Sequence, residues 1–440
     1  MTSFFNHYLI PLYLLFIYFT STTTTTSAAL AIVSPRPKSL LLTVSKDTTT
    51  SQYTTKILQR TPPVFVPLTL DLGTQYLWLN CGRRYVSSTY KPVPCGSPLC
   101  ALANAKICRS CPSGPKPGCN NNTCRAIISN PITNTSTKKG SELATDVIQL
   151  NSSNGATTGD LVTIPNFLFV CAPTSLLGGL AKGVSGVAGF GRTKVSFPTQ
   201  ASSAFRLAQT FALCLPPFSE NGFAFLGEGP YNITPGGTGL NVDLRSMLTY
   251  TPLITNPVRT SEYFIGVQGI KVGGEDVPIN KSLFTIDSKG YGGTTISLLQ
   301  PYTSMETSIY NAVSAAFDRQ ILNTSYPTKR VAPVAPFKYC YDTLPSSRVG
   351  PSVSNIDLVL QGKNAVWTIA PLNSLVRTYV GYCIAFVDGG KNPRSSIVVG
   401  GYQIEDNLLQ FDRAKNRIGI SSSLVYDRIR CSFFNFTTTV

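Results

Sequence analysis

Short apolar stretches, alternating or continuous and broken by Gly, Pro, Asn, Ser and Thr, run through the chain, a pattern of short strands and turns rather than long helices. Residues 64–80, VFVPLTLDLGTQYLWLN, read as strand, turn, strand. An aspartate held at a tight glycine turn between apolar strands has its carboxylate aimed at one place, and here that residue is Asp71. Residues 35–60 read as an extended lead-in to this unit. An alternating segment follows at 142–150, then an apolar strand at 167–171 that feeds the glycine-rich VSGVAGFGR at 184–192. Two apolar residues before a Gly permit close backbone packing. The second half repeats the order: strands near 263–272, a Gly-rich turn at 290–299, a helical pattern over 307–321 and SIVVGGYQ at 396–403. Two copies of one lobe are therefore expected.

Composition narrows the chemistry. The 440 residues exceed one typical core, so two lobes of roughly 200 residues are expected. Only 13% of residues are charged, against Gly 35 and Pro 31, which supports a mainly β chain. The single histidine, His7, sits in the N-terminal apolar stretch. Residues 8–19 are apolar and lead through a Thr-rich run to Ser27, Ala28 and Ala29, the form of a signal peptide over 1–29. The run contains Pro11 and is shorter than the roughly 20 residues of a spanning helix. Once it is removed the chain has no imidazole. Ser/His/Asp and Cys/His nucleophiles and His-ligated zinc are then excluded, leaving carboxylate or lysine chemistry, or none.

Twelve cysteines in an exported chain predict six disulfides. Seven of them, from Cys81 to Cys124, crowd one Gly/Pro/Asn-rich stretch, which reads as a stapled irregular subdomain rather than a zinc site at Cys108 and Cys111. Asn121, Asn134, Asn151, Asn232, Asn280, Asn323 and Asn435 each begin a glycosylation sequon. The formal charge is +16, with 37 basic against 21 acidic residues and none of either before Arg36. Such a field attracts polyanions: acidic polysaccharide, a membrane surface or a protein with an acidic cleft. No basic run or aromatic-interleaved stripe argues for nucleic acid.

The motifs taken together resemble the pepsin-type aspartic protease fold and its plant secreted branch. Asp71-Leu72-Gly73 resembles the first catalytic turn, GVAGFGR its supporting segment, and residues 400–424, GGYQIEDNLLQFDRAKNRIGISSSL, the last strands. YVSSTYKPVPC, PGCNNNTC, EYFIGVQGIKV and APFKYCYDT are similar to the proteinaceous glucanase inhibitors, a group with extracellular dermal glycoprotein, xyloglucanase and xylanase inhibitors, and basic 7S globulins as relatives. The resemblance implies a disulfide-rich, bilobal pepsin-like fold, with lobes over 30–245 and 246–440 and the Cys-rich insertion in the first. Cys340 and Cys383, flanking strands of the second lobe, are expected to pair.

Acid proteolysis needs two carboxylates sharing a proton. Counting back from Tyr310 in SIYNAV puts Ser297 of GGTTISLLQP where the second aspartate of the family stands, with Leu298 and Leu299 in place of Ser-Gly. Asp287 in IDSK lies ten residues earlier and is followed two positions on by Lys289 where Gly belongs. No tyrosine occurs between Tyr90 and Tyr231, the region of the flap. A lost dyad on a kept fold implies a binding scaffold, with Asp71 and Ser297 vestigial. The inhibitors the chain resembles place two arginines on loops. One precedes Gly-Pro-Ser, here Arg348; the other lies three residues before the last cysteine, here Arg428, with Arg430 a nearby competitor. An arginine on a rigid loop can engage the paired carboxylates of an endo-β-1,4-glucanase. The expectation is a monomeric, extracellular inhibitor of microbial endo-β-1,4-glucanases acting on xyloglucan, without cofactor, metal, nucleic acid or membrane partner. The alternatives are a basic 7S-like peptide-binding or storage protein and a residual acid protease.

Overall fold

The computed structural model of the protein describes residues 1–2, 36–82, 85–111, 113–235 and 239–438. The leader expected over 1–29, with His7, lies outside these apart from its first two residues. Pro37–Val440 form one compact unit, mainly β, with a 21-stranded sheet among the described residues.

Residues 35–60, read from sequence as a lead-in, instead fold into two core strands. Ser39–Asp47 and Gln52–Gln59 form a hairpin, whose apolar positions Leu40, Leu42, Val44, Tyr53 and Ile57 are at most 2% exposed. The extended conformation was expected; the burial of the period-2 alternation in the core was not. Gln52–Gln59 then pairs with Val64–Asp71, and Leu77–Asn80 follows as expected. The expected strand at 167–171 is the end of a 16-residue strand, Thr157–Ala172, paired antiparallel with Ser141–Ser153. In the second half the helix runs Thr307–Leu322, with Ile309, Val313, Phe317 and Ile321 buried at four-residue intervals. The Glu306 side chain caps it, accepting from the Ser308 and Ile309 amides.

The two halves are knitted by the C-terminal hairpin. Leu408–Asp412 pairs with Thr210–Cys214 from the first half, placing Phe211 opposite Phe411 with ring centroids 4.6 Å apart. Arg417–Ile420 pairs with Thr249–Ile254 from the second. The 245/246 division falls inside the short turn Leu244–Met247 just before this strand. All twelve cysteines are paired: Cys81–Cys171, Cys95–Cys108, Cys100–Cys124, Cys111–Cys119, Cys214–Cys431 and Cys340–Cys383. Cys214–Cys431 closes 217 residues of chain beside the knitting hairpin.

Two glycines set how closely the strands approach in the middle of the molecule. A Cβ on Gly189 would lie 2.3 Å from the Tyr76 carbonyl oxygen and 2.5 Å from that of Thr74; one on Gly400 would lie 2.4 Å from the Tyr302 carbonyl carbon. These neighbours are backbone and cannot swing away. Gly189→Ala and Gly400→Ala are each expected to lower stability by about 2–3 kcal/mol, read as a shift in the denaturant midpoint; an unshifted midpoint would show that the neighbouring backbone can yield.

A buried acid pair ties the first strand to the last third of the chain. The Glu405 Oε1 accepts from Lys46 Nζ at 2.5 Å and from the Tyr53 hydroxyl at 2.8 Å. Burial outweighs both partners and pushes the Glu405 carboxyl up to about 7. Asp406 beside it accepts from the Cys431 amide and from Arg430, and burial pushes it up to about 6. An acid whose folded-state pKa is raised holds its proton more tightly folded than unfolded. Its contribution is complete below about 4.5 and is lost as pH rises through about 6 to 7. The shift at Glu405 corresponds to about 3 kcal/mol. Thermal melts across pH 4 to 8 should therefore show the midpoint falling by several degrees toward pH 8, with a shallower fall in Glu405→Gln.

Candidate functional site

Asp71 ends its strand where the chain turns through Leu72 and Gly73, and its carboxylate is 5% exposed. Oδ2 accepts from the Thr74 amide at 2.8 Å and the Thr74 hydroxyl at 2.5 Å. Burial raises the Asp71 pKa, opposed by the bonds from Thr74 and from the Gly73 and Leu72 amides. The strand pairs in parallel with Gly186–Gly189, setting Thr69, Leu70 and Asp71 against Val187, Ala188 and Gly189.

The same device recurs in the second half. Thr294–Ile296 pairs in parallel with Ile397–Val399, setting Thr295 and Ile296 against Val398 and Val399, and the Ser297 amide donates to the Val399 carbonyl at 2.9 Å. With Val187-Ala188-Gly189 and Val398-Val399-Gly400 as counterparts, the register carries Ser297 to the step that Asp71 occupies. Asp71 and Ser297 line one central cavity of about 650 Å3. The Ser297 Oγ accepts from the Leu299 amide at 3.2 Å. One wall comes from the stretch that includes Ile127, Pro131, Ile132 and the sequon residue Asn134, a stretch without tyrosine.

The cavity also holds three charged residues that sequence reasoning missed: Arg259, Glu262 and Arg394. A Cβ on Gly73 would sit 3.5 Å from the Glu262 Cγ and 3.7 Å from the Asp71 Oδ2, so Glu262 lies over the Asp71 turn. Its carboxylate accepts from Arg259 Nη1 at 3.2 Å. Burial raises the Glu262 pKa, Arg259 and Arg394 oppose this, and the charge of Asp71 adds to it. Arg259 is itself fixed by the Ser395 hydroxyl and by the carbonyls of Gly290 and Arg394. Glu262 appeared in the sequence only as part of EYFIGVQGIKV; nothing local marks a carboxylate that reaches across to another lobe's turn. Asp287, of the IDSK stretch, is exposed and its Oδ1 accepts from the Lys289 and Tyr291 amides, closing its own turn.

Neither loop arginine lines this cavity. Arg348 is exposed at the tip of the hairpin formed by Ser346–Ser347 and Gly350–Pro351. Arg428 is exposed at the end of the turn Leu424–Asp427, in the left-handed region at φ 59°. Arg430 is drawn inward to the buried Asp406, 3.2 Å away. Of the sequon asparagines, Asn121, Asn134, Asn280, Asn323 and Asn435 are exposed, while Asn151 and Asn232 are half-buried within paired strands.

The chain matches two family models, xylanase inhibitor N-terminal over residues 53–228 and xylanase inhibitor C-terminal over 262–422. It is 50% identical to a probable aspartic proteinase GIP2 from Nicotiana benthamiana, over 92% of this chain and 93% of that one. It is 42% identical to gamma conglutin 1 from Prunus dulcis, over 92% and 91%. Among solved structures it resembles edgp, with a TM-score of 0.87 at 47% identity over 92% of this chain and 99% of that one. It also resembles the basic 7S globulin from soybean, with a TM-score of 0.78 at 33% identity over 91% and 99%. A two-lobed β fold, a repeated glycine ledge under a central cavity and these likenesses agree: the chain belongs to the xylanase-inhibitor family of pepsin-like proteins, which includes the basic 7S globulins and gamma conglutins.

Proposed function

We propose that this chain is a secreted, non-catalytic inhibitor of microbial endo-β-1,4-glucanases, acting on those that cut xyloglucan, in which Arg348 and Arg428 enter the target's cleft and meet its catalytic carboxylates. The observation that carries this is the setting of the two arginines. Each stands exposed on a short, hydrogen-bonded turn, and no ion pair among the described residues competes for it. A guanidinium presented this way forms charge-assisted, bidentate bonds to a carboxylate with little ordering left to lose. Arg430, bonded to the buried Asp406, is a structural residue and not part of the proposed contact.

Peptide cleavage is disfavoured by the same chemistry. Ser297 does not ionise near neutral pH, so it cannot share a proton with Asp71. The nearest other carboxylate in the cavity, Glu262, is engaged by Arg259. The sequon asparagines that are exposed suit glycosylation on a secretory route better than the two within strands.

Titration against a panel of fungal xyloglucanases, cellulases and xylanases tests the reading. Arg348→Ala and Arg428→Ala should each weaken inhibition at least about thirtyfold, mainly through faster dissociation. Unchanged inhibition in the double variant would reject the assignment. Asp71→Asn should leave inhibition intact, and the wild-type protein should cleave no peptide at pH 3 to 4. Cleavage that disappears in Asp71→Asn would restore the protease reading.

A further inference from the structure

A second cavity, of about 870 Å3, lies in the Cys-rich part of the first half, away from Asp71 and from both loop arginines. Its walls are the end of Leu77–Asn80 with Cys81 and Gly82, the Lys116 to Cys119 turn, Arg125, residues 135–141 and the segment from Cys171 to Leu176. Four cationic side chains, Lys116, Arg125, Lys138 and Lys139, line it, and no Asp or Glu does. None of the four makes an ion pair among the described residues.

The walls are rigid. Lys116 and Cys119 exchange backbone hydrogen bonds of 3.1 and 2.8 Å, and Cys111–Cys119 ties the turn down. Buried Glu142 accepts from the Gly118 and Asn120 amides, the Asn120 side chain, Thr123 and Tyr90. Its oxygens are thereby committed to holding the turn and not to neutralising the lysines. Cys81–Cys171 fixes the facing wall. Arg125 is half-buried; one Nη1 bond reaches the Gly140 carbonyl at 3.4 Å, and its Nε is buried without a partner. Its guanidinium has no carboxylate partner among the described residues, so its charge is left for an anion in the cavity.

We propose that this cavity binds the carboxylates of an acidic polysaccharide built of uronic acids. The volume falls within the roughly 300–1,000 Å3 of sites that hold whole small molecules rather than single ions. The cations come from separate segments and so meet anionic groups spaced along a chain. Ser136 and Ser175 also line the cavity, exposed, and their hydroxyls suit a polyhydroxylated ligand. This site is separate from the inhibitory arginines and does not depend on that reading.

Full-length protein is titrated with a polygalacturonate oligomer of about ten residues, following the carboxylate requirement of the site, with its methyl-esterified form and a neutral xyloglucan oligomer in parallel. The acidic oligomer should bind and the other two should not. Lys116→Gln/Lys138→Gln/Lys139→Gln should weaken binding at least tenfold, whereas Lys289→Gln/Lys363→Gln/Lys391→Gln, with equal loss of charge elsewhere, should change it less than twofold. All six lysines are exposed, and an unchanged thermal unfolding midpoint in both variants would report intact folding. Equal loss in the two variants would reduce the effect to the general +16 field and overturn the site. Displacement of the oligomer by millimolar sulfate or phosphate at constant ionic strength would assign the cavity to a small anion and overturn the polysaccharide.

Discussion

The middle of the molecule is organised by one constraint, the close parallel approach of a strand carrying a functional turn to an apolar-apolar-Gly ledge, made once in each half. Gly186–Gly189 holds the strand that ends in Asp71, and Ile397–Val399 holds the one that leads to Ser297. Backbone atoms already occupy the space a Cβ would need at Gly189 and Gly400. The ledges position whatever residue ends the strand, charged or not. The packing that sets the cavity floor does not depend on the chemistry above it, since Asp71 and Ser297 stand at matching steps of the two ledges.

Much of this was legible in the chain. The turn at Asp71, the GVAGFGR and SIVVGG ledges, the helix beginning at Thr307 and the Cys340–Cys383 pair all follow from local patterns or from resemblance to known motifs. The lead-in misread at 35–60 shows where local reading fails. The extended segment there becomes two core strands only through partners far away in the chain, Leu226 and Asn151 among them. Glu262 and Arg259 were missed for a related reason. Neither has a distinctive neighbour in sequence, and both matter only because folding brings the Arg259 guanidinium, the Glu262 carboxylate and the Asp71 turn into one cavity.

Arginines separated by two positions illustrate what sequence spacing leaves open. Arg428 and Arg430 flank the same buried Ile429, and either could be matched to an exposed loop residue. The left-handed conformation at Arg428 turns the chain so that Arg430 faces Asp406, a carboxylate 1% exposed on its side chain. Burial of that acid makes the pairing close to obligatory, since an uncompensated charge there is costly. The chain thus uses one arginine to satisfy its interior and leaves the other to solvent, and only the second is available to a partner.

Scarcity of acid explains the distribution of free positive charge. With 21 acidic residues against 37 basic ones, the carboxylates that are buried serve internal positions: Glu405 at Lys46 and Tyr53, Asp406 at Arg430 and Cys431, Asp412 at Arg417, and Glu142 inside the Lys116 turn. Each use draws an acid inward and leaves cations elsewhere uncompensated. Some are scattered over the surface, where screening makes them contribute little beyond solubility. At the cavity lined by Lys116, Arg125, Lys138 and Lys139 they converge on one concave wall stiffened by disulfides. A concave wall of one sign focuses the field that a convex surface disperses. The same excess of base that is bland over most of the molecule becomes specific there through geometry, not through number.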